Sequence, residues 1–185
     1  MPDTIKSWAQ IKAEIVSNGN KEITPQRVTD ALYSISQLWA GMYIDGGGAG
    51  GGATALSTTY GTLDLTDFTN HASSVGITPD KANDRFILPA VAGIYRVDIS
   101  MALFVSSVSA VTYGVKLQLD GVDVPGCKWD NWRPASAAVG QVPFLSGLVV
   151  HSGSGNGYLT ILARASAGTP TFSLWTGGIW VSRIA

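Results

Sequence analysis

Charge is scarce in this sequence. Lys and Arg total 12 and Asp and Glu 13, so charged residues fill only 14% of 185 positions. A chain so nearly neutral has no basic footprint for nucleic acid and no basic face for an anionic membrane. Glutamate is scarcer still, because Glu14 and Glu22 are the only ones and both precede residue 46. The long remainder therefore has little charge for a monomer's surface, a pattern expected where other copies cover part of it, since interface cores are depleted in charge. The single cysteine, Cys127, excludes an intrachain disulfide and is expected to be a buried, unreactive thiol. No run reaches the ~18 apolar residues of a membrane span, and Met1 to Lys6 lack the apolar stretch of a secretory signal, so synthesis in a host-type cytoplasm is expected.

Catalytic groupings are missing as well. His71 and His151 are the only histidines, neither has a neighbour at metal-ligand spacing, and both are expected as ordinary surface residues. The glycine run at 46–52 lacks the Lys-Ser/Thr of a phosphate loop, and Gly153-Ser154-Gly155-Asn156-Gly157 precedes a strand pattern, which makes it a turn and not a dinucleotide fingerprint. Asp120, Asp123 and Asp130 fall short of the six to eight oxygens that Ca²⁺ takes, so they are expected to be solvated turn acids. With no glutamate beyond the run, a paired-carboxylate glycosidase is also disfavoured. No enzyme, cofactor or metal site is expected.

What is present divides at Gly46-Gly47-Gly48-Ala49-Gly50-Gly51-Gly52. Ahead of it, Ile5, Trp8, Ile11 and Ile15 have helical spacing. A second helix is predicted from Thr24 as N-cap and Pro25 at the first turn, with Val28, Leu32, Ile35, Trp39 and Met42 on one apolar stripe. After the run the period becomes two. Tyr95, Val97, Ile99, Met101 and Leu103 alternate with polar residues, as do Tyr113, Val115, Leu117 and Leu119, and Asp120-Gly121 predicts a two-residue hairpin turn. Val142 to Val150 is apolar on both parities, as suits a strand covered on two sides. About eight strands emerge, enough for a two-sheet sandwich. The organisation expected is a helical anchor at 1–45, a glycine-rich linker at 46–53 acting as a tether of roughly 15 Å, and a mainly β head at 54–185.

Three stretches of the head resemble a known superfamily. Arg85-Phe86-Ile87-Leu88-Pro89-Ala90-Val91-Ala92-Gly93-Ile94-Tyr95-Arg96-Val97 resembles the opening strands of the jelly-roll heads of the tumour necrosis factor and complement-head superfamily. Leu117 to Gly121 resembles the hairpin of those heads, and Phe172 through Trp180 to Ile184 their closing core strand. The resemblance implies a jelly-roll β-sandwich of about eight to ten strands and a homotrimer, a form that also recurs in bacteriophage fibre and capsid-decoration proteins. Ile23 to Leu32 further resembles the short helix at the front of many phage fibre proteins, and no Gly-X-Y repeat precedes the head.

These resemblances imply a structural protein of a phage virion. Val28, Leu32, Ile35, Trp39 and Met42 would contact a capsid or tail protein, and the head would face the capsid or a host surface glycan. The alternative is a trimeric lectin-like module outside any virion. In Lys128-Trp129-Asp130-Asn131-Trp132-Arg133-Pro134, the residues Trp129, Asn131, Trp132 and Arg133 are ligand-binding candidates, because an indole stacks on a sugar ring while Asn and Arg bond its hydroxyls. Burial in the sandwich or between subunits is the competing expectation for the tryptophans.

Overall fold

A computed structural model describes residues 38–45, 53–106, 111–133, 144–168 and 171–184. The strands are β1 (Trp39–Asp45), β2 (Ala53–Ala55), β3 (Gly61–Thr62), β4 (Thr69–Asn70), β5 (Thr78–Asp80), β6 (Arg85–Leu88), β7 (Gly93–Ser106), β8 (Val111–Leu119), β9 (Val122–Arg133), β10 (Phe144–His151), β11 (Gly157–Ala165) and β12 (Thr171–Arg183). They form two six-stranded antiparallel sheets. One runs β10-β7-β12-β1-β4 with β2 also on β12, and the other runs β5-β6-β11-β8-β9 with β3 also on β11. From β6 onward the chain crosses between sheets at every connection except the β8–β9 hairpin, which gives the two-sheet sandwich that the alternating patterns predict and the jelly-roll course that the resemblance implies.

Period-two patterning decides which side chains enter the core. Val97 and Ile99 of β7, Val115 and Leu117 of β8, Leu159 and Ile161 of β11, and Ile179 and Val181 of β12 are all buried between the sheets. Each such aliphatic side chain contributes about 1.5–3 kcal/mol relative to exposure. Asp120 and Gly121 both have positive φ, 52° and 79°, as a type I′ hairpin turn requires. The Phe86-to-Val97 stretch also finds a physical role, since Phe86 fills the core and the Tyr95 hydroxyl donates to the Val91 carbonyl at 2.9 Å.

Three expectations need correction. Trp39 and Met42 are not on a helix: β1 pairs with β12 from Trp39↔Ser182 to Asp45↔Thr176, and Ala40, Met42 and Ile44 are buried in the sandwich. The head therefore begins by Leu38 and not at 54. The glycine run is consequently no tether between anchor and head, because it joins β1 to β2, which pair with successive parts of the same strand, Ala53 opposite Ser173. His151 is buried, not on the surface. Its Nε2 lies 3.2 Å from the Pro89 carbonyl and 3.0 Å from that of Gly155; both oxygens can only accept, so Nε2 carries the proton and ties two loops together. The first predicted helix, and Val28, Leu32 and Ile35 of the second, lie outside the described residues.

Candidate subunit interface

Both β9 and β10 are edge strands, on the same side of the sandwich. Alternation in β10 sends Leu145 and Val149 into the core and leaves Leu148 and Val150 at 55% and 75% exposure. Beside them, Val122 of β9 is 70% exposed. Among the described residues, nothing covers the apolar second parity of β10, so the expectation of a strand covered on two sides is not met within them.

The edge of β9 is also unfit to receive another strand. Lys116 pairs with Lys128 and Gln118 with Asp123, so Val124 to Cys127 bulge opposite Leu117 alone. Pro125 offers no N–H, and Gly126 takes a φ of 74° that breaks the extended path. Between the bulge and β10 lies an open groove of about 450 Å³, lined by Leu119, Val122, Val124, Pro125, Leu148 and Val150 among others. The bulge and the proline disfavour main-chain pairing with a further strand at this edge.

A second apolar area occupies the outer face of the β7-β12-β1 sheet. Trp180 is paired with Gly41 of β1, and its indole lies flat on the sheet, with Cδ1 3.1 Å from where a Gly41 Cβ would stand and Cη2 2.5 Å from that of Gly178. A side chain at 178 would collide with the ring, and one at 41 would press on it. Trp180 is 39% exposed and Tyr43, on the same face, 37%. His71 packs edge-on against Trp39 with ring centroids 4.9 Å apart and lies 6.5 Å from Tyr43, extending the platform toward β4.

The opposite outer face, on the β8 sheet, is polar and pairs its own charges. Lys116 and Arg164 approach the ring of Tyr60 at 4.5 and 4.8 Å. Lys116 also binds Asp123 at 2.6 Å, and this hydrogen bond, helped by Gln118, holds the Asp123 carboxyl below the usual carboxylate range. Asp130 meets Lys128 at 3.0 Å and Arg164 at 3.7 Å. Asp120 accepts the Tyr158 N–H at 2.8 Å. The three aspartates considered as calcium ligands thus each bond a different partner, and among the described residues no group of three acidic, His or Cys side chains is placed to hold a metal. Nor is any helix among them long and apolar enough to cross a membrane.

Of the ligand-binding candidates, the described side chains include only that of Trp129. Trp129 turns inward against the core and meets Tyr113 edge-on at 5.3 Å. The backbone of Asn131, Trp132 and Arg133 pairs with Tyr113, Thr112 and Val111, and their side chains lie outside the described set. Cys127 is buried as expected, and burial pushes its thiol pKa up. Sequence reasoning missed the Trp180 platform, although Ile179 and Val181 as core residues already implied that Trp180 points outward.

No protein-family model matches this chain, and no curated protein matches it. Solved structures do. Eiger TNF from S. frugiperda superposes with a TM-score of 0.52 at 11% identity, covering 80% of this chain and 93% of that one. The PRD1 vertex protein P5 superposes with a TM-score of 0.54 at 16% identity, covering 82% of this chain and 75% of the other. With two antiparallel sheets in this strand order and these neighbours, the chain has the fold of a tumour necrosis factor-like jelly roll.

Proposed function

We propose that this protein is a homotrimeric structural component of a phage virion, a fibre or capsid-decoration protein whose jelly-roll head projects from the particle. The observation that carries the reading is the uncovered apolar edge formed by Val122, Leu148 and Val150. Exposed large aliphatics side by side, next to an apolar groove, are an interaction surface and not a solvent surface. The likeness to a vertex protein supports the virion setting. Attachment to a capsid or tail protein then falls to residues ahead of Leu38, with Val28, Leu32 and Ile35 as its apolar contacts; Met42 is buried and unavailable for it. The head would meet neighbouring capsid subunits or a host surface glycan.

Two measurements test this. Light scattering of the purified protein should give the mass of three chains at micromolar concentration, and one chain's mass overturns the trimer. A chain starting at Leu38 should trimerise yet fail to join particles, whereas full occupancy without residues 1–37 would move attachment into the head.

A further inference from the structure

The described chain enters the head at Leu38 and reaches Ile184 at the same end of the sandwich. The Leu38 carbonyl accepts the Arg183 N–H, and the Ile184 N–H donates to the Ile94 carbonyl, both at 2.8 Å. Across the sheet Trp39 pairs with Ser182, Ser182 with Arg96 and Arg96 with Leu148, so β1 begins at the level where β10 finishes. The connections at 89–92 and 152–156 lie at this end too, because Gly93 pairs with His151 and Gly157 with Leu88. The Asp120-Gly121 turn joins them, since Leu119 pairs with Leu159. Residues 1–37 therefore lead away from the head on the side of these three connections.

That end is held in place by its own side chains. The Tyr95 hydroxyl donates to Val91, His151 ties Pro89 to Gly155, and the Arg183 guanidinium donates to the Ala92 carbonyl at 3.1 Å. A surface fixed beforehand loses little entropy when a partner binds it. Its charge is incomplete. Arg85, Arg96 and Arg164 each face a carboxylate, of Asp80, Asp98 and Asp130. Arg183 faces none among the described residues, and its Nε is buried without a hydrogen-bond partner. A guanidinium has five N–H donors, and one carbonyl leaves most of them unserved. Beside it Ile184 is 51% exposed. A cation short of acceptors next to an exposed aliphatic side chain is complementary to a protein surface that brings a carboxylate on an apolar ground, since guanidinium and carboxylate pair through two parallel bonds.

We infer that this end of the head faces the particle, and that Arg183 there receives a carboxylate of the virion protein on which the head stands. The inference rests on attachment through residues ahead of Leu38, and it adds the orientation of the head and a second contact. Such a contact is too weak to hold a head by itself. It becomes effective once the arm at 1–37 has bound, because linkage turns the second binding event into an intramolecular one.

Asn156 and Ala167 are both exposed and flank β11 at its two ends, roughly 30 Å apart. Asn156→Cys and Ala167→Cys, each made in the full chain and labelled with biotin maleimide, should bind streptavidin equally as free protein, while wild type, with Cys127 buried, stays unlabelled. On particles the label at 167 should remain open and the label at 156 should be shielded. Equal access, or the reverse, overturns the orientation. Arg183→Gln keeps a donor for the Ala92 carbonyl and loses the charge. It should retain the wild-type mass and melting temperature, yet bind particles produced without this protein about tenfold or more weakly, and with less dependence on NaCl. Binding equal to wild type at every salt concentration overturns the role of Arg183. A variant that loses cooperative melting or the wild-type mass makes Arg183 a structural tie for the 89–92 connection, and overturns its docking role as well. If wild type itself fails to bind the particles, the virion reading falls and this inference with it.

Discussion

Gly147 of β10 lies directly against the thiol of Cys127 in β9, so that a side chain at 147 would collide with Sγ and stand 3.2 Å from Cβ. This contact joins the two edge strands across the sandwich. Gly147→Ala should therefore destabilise the fold by about 1–3 kcal/mol, the usual cost of overpacking. Cys127→Ala removes the obstructing sulfur, and the double variant should lose less than the sum of the two single losses. Strict additivity in urea unfolding would mean that the strands shift apart and the thiol does not decide the fit.

His151 makes a second prediction. Its Nε2–H serves the carbonyls of Pro89 and Gly155, and Gly157 packs against its ring. His151→Phe keeps a ring but leaves the two carbonyls unserved, at a cost of about 1–3 kcal/mol. Hydrogen exchange should show the loss concentrated at residues 89–92 and 152–156. A uniform loss across both sheets would contradict a local tie.

Asp80 gives a pH dependence of known sign. The Arg85 guanidinium at 2.8 Å, with Asn83 beside it, holds the Asp80 carboxyl below its ordinary value. A pKa lowered on folding stabilises the protein above the unfolded value of about 3.9, and that contribution is lost as pH falls through the folded value. Asp80→Asn should thus be less stable than wild type at neutral pH, and the gap should close in acid. An unchanged gap between pH 7 and pH 2 would assign the difference to packing.

Truncation separates the head from what precedes it. A chain starting at Leu38 should unfold cooperatively near the full-length melting temperature. One starting at 54 should not fold, because it lacks Ala40, Met42 and Ile44 from the core and leaves Thr176 to Ser182 of β12 without their β1 partner. Near-ultraviolet circular dichroism distinguishes the two. A native spectrum from the shorter chain would mean that β1 is dispensable.

The strands that sequence alone revealed are those with one apolar and one polar parity, such as Tyr95–Ile99 and Tyr113–Leu117. Where both parities are apolar, period loses its meaning. In β1 the inward set is Leu38, Ala40, Met42 and Ile44, but the outward Trp39 and Tyr43 are apolar too, so Trp39 and Met42 fit a helical step as well as a strand. In β10 both parities are apolar as well, which suggested a strand covered on two sides, whereas among the described residues Leu148 and Val150 are exposed. The apolar content of β10 was therefore legible, but neither its place at a sheet edge nor the Trp180 shelf was. The shelf depends on Gly41 and Gly178 lying under one ring, and that adjacency exists only after β1 pairs with β12. The inward lean of Trp129 was not legible for a related reason, since the Pro125–Gly126 bulge resets which residues of β9 face inward.

The position of β12 also bears on how the protein is made. It is the last of these strands to leave the ribosome, yet it lies inside its sheet, with β7 on one side and β1 and β2 on the other. Trp39 waits for Ser182 before its strand has a partner in that lane. The sheet therefore closes only after translation of the whole head, and pairing between such distant segments is slow because loop closure is opposed by chain entropy before any contact rewards it. Until then Ala40, Met42 and Ile44 are exposed on a nascent chain, which makes the interval before closure the time when chaperone capture or aggregation competes with folding.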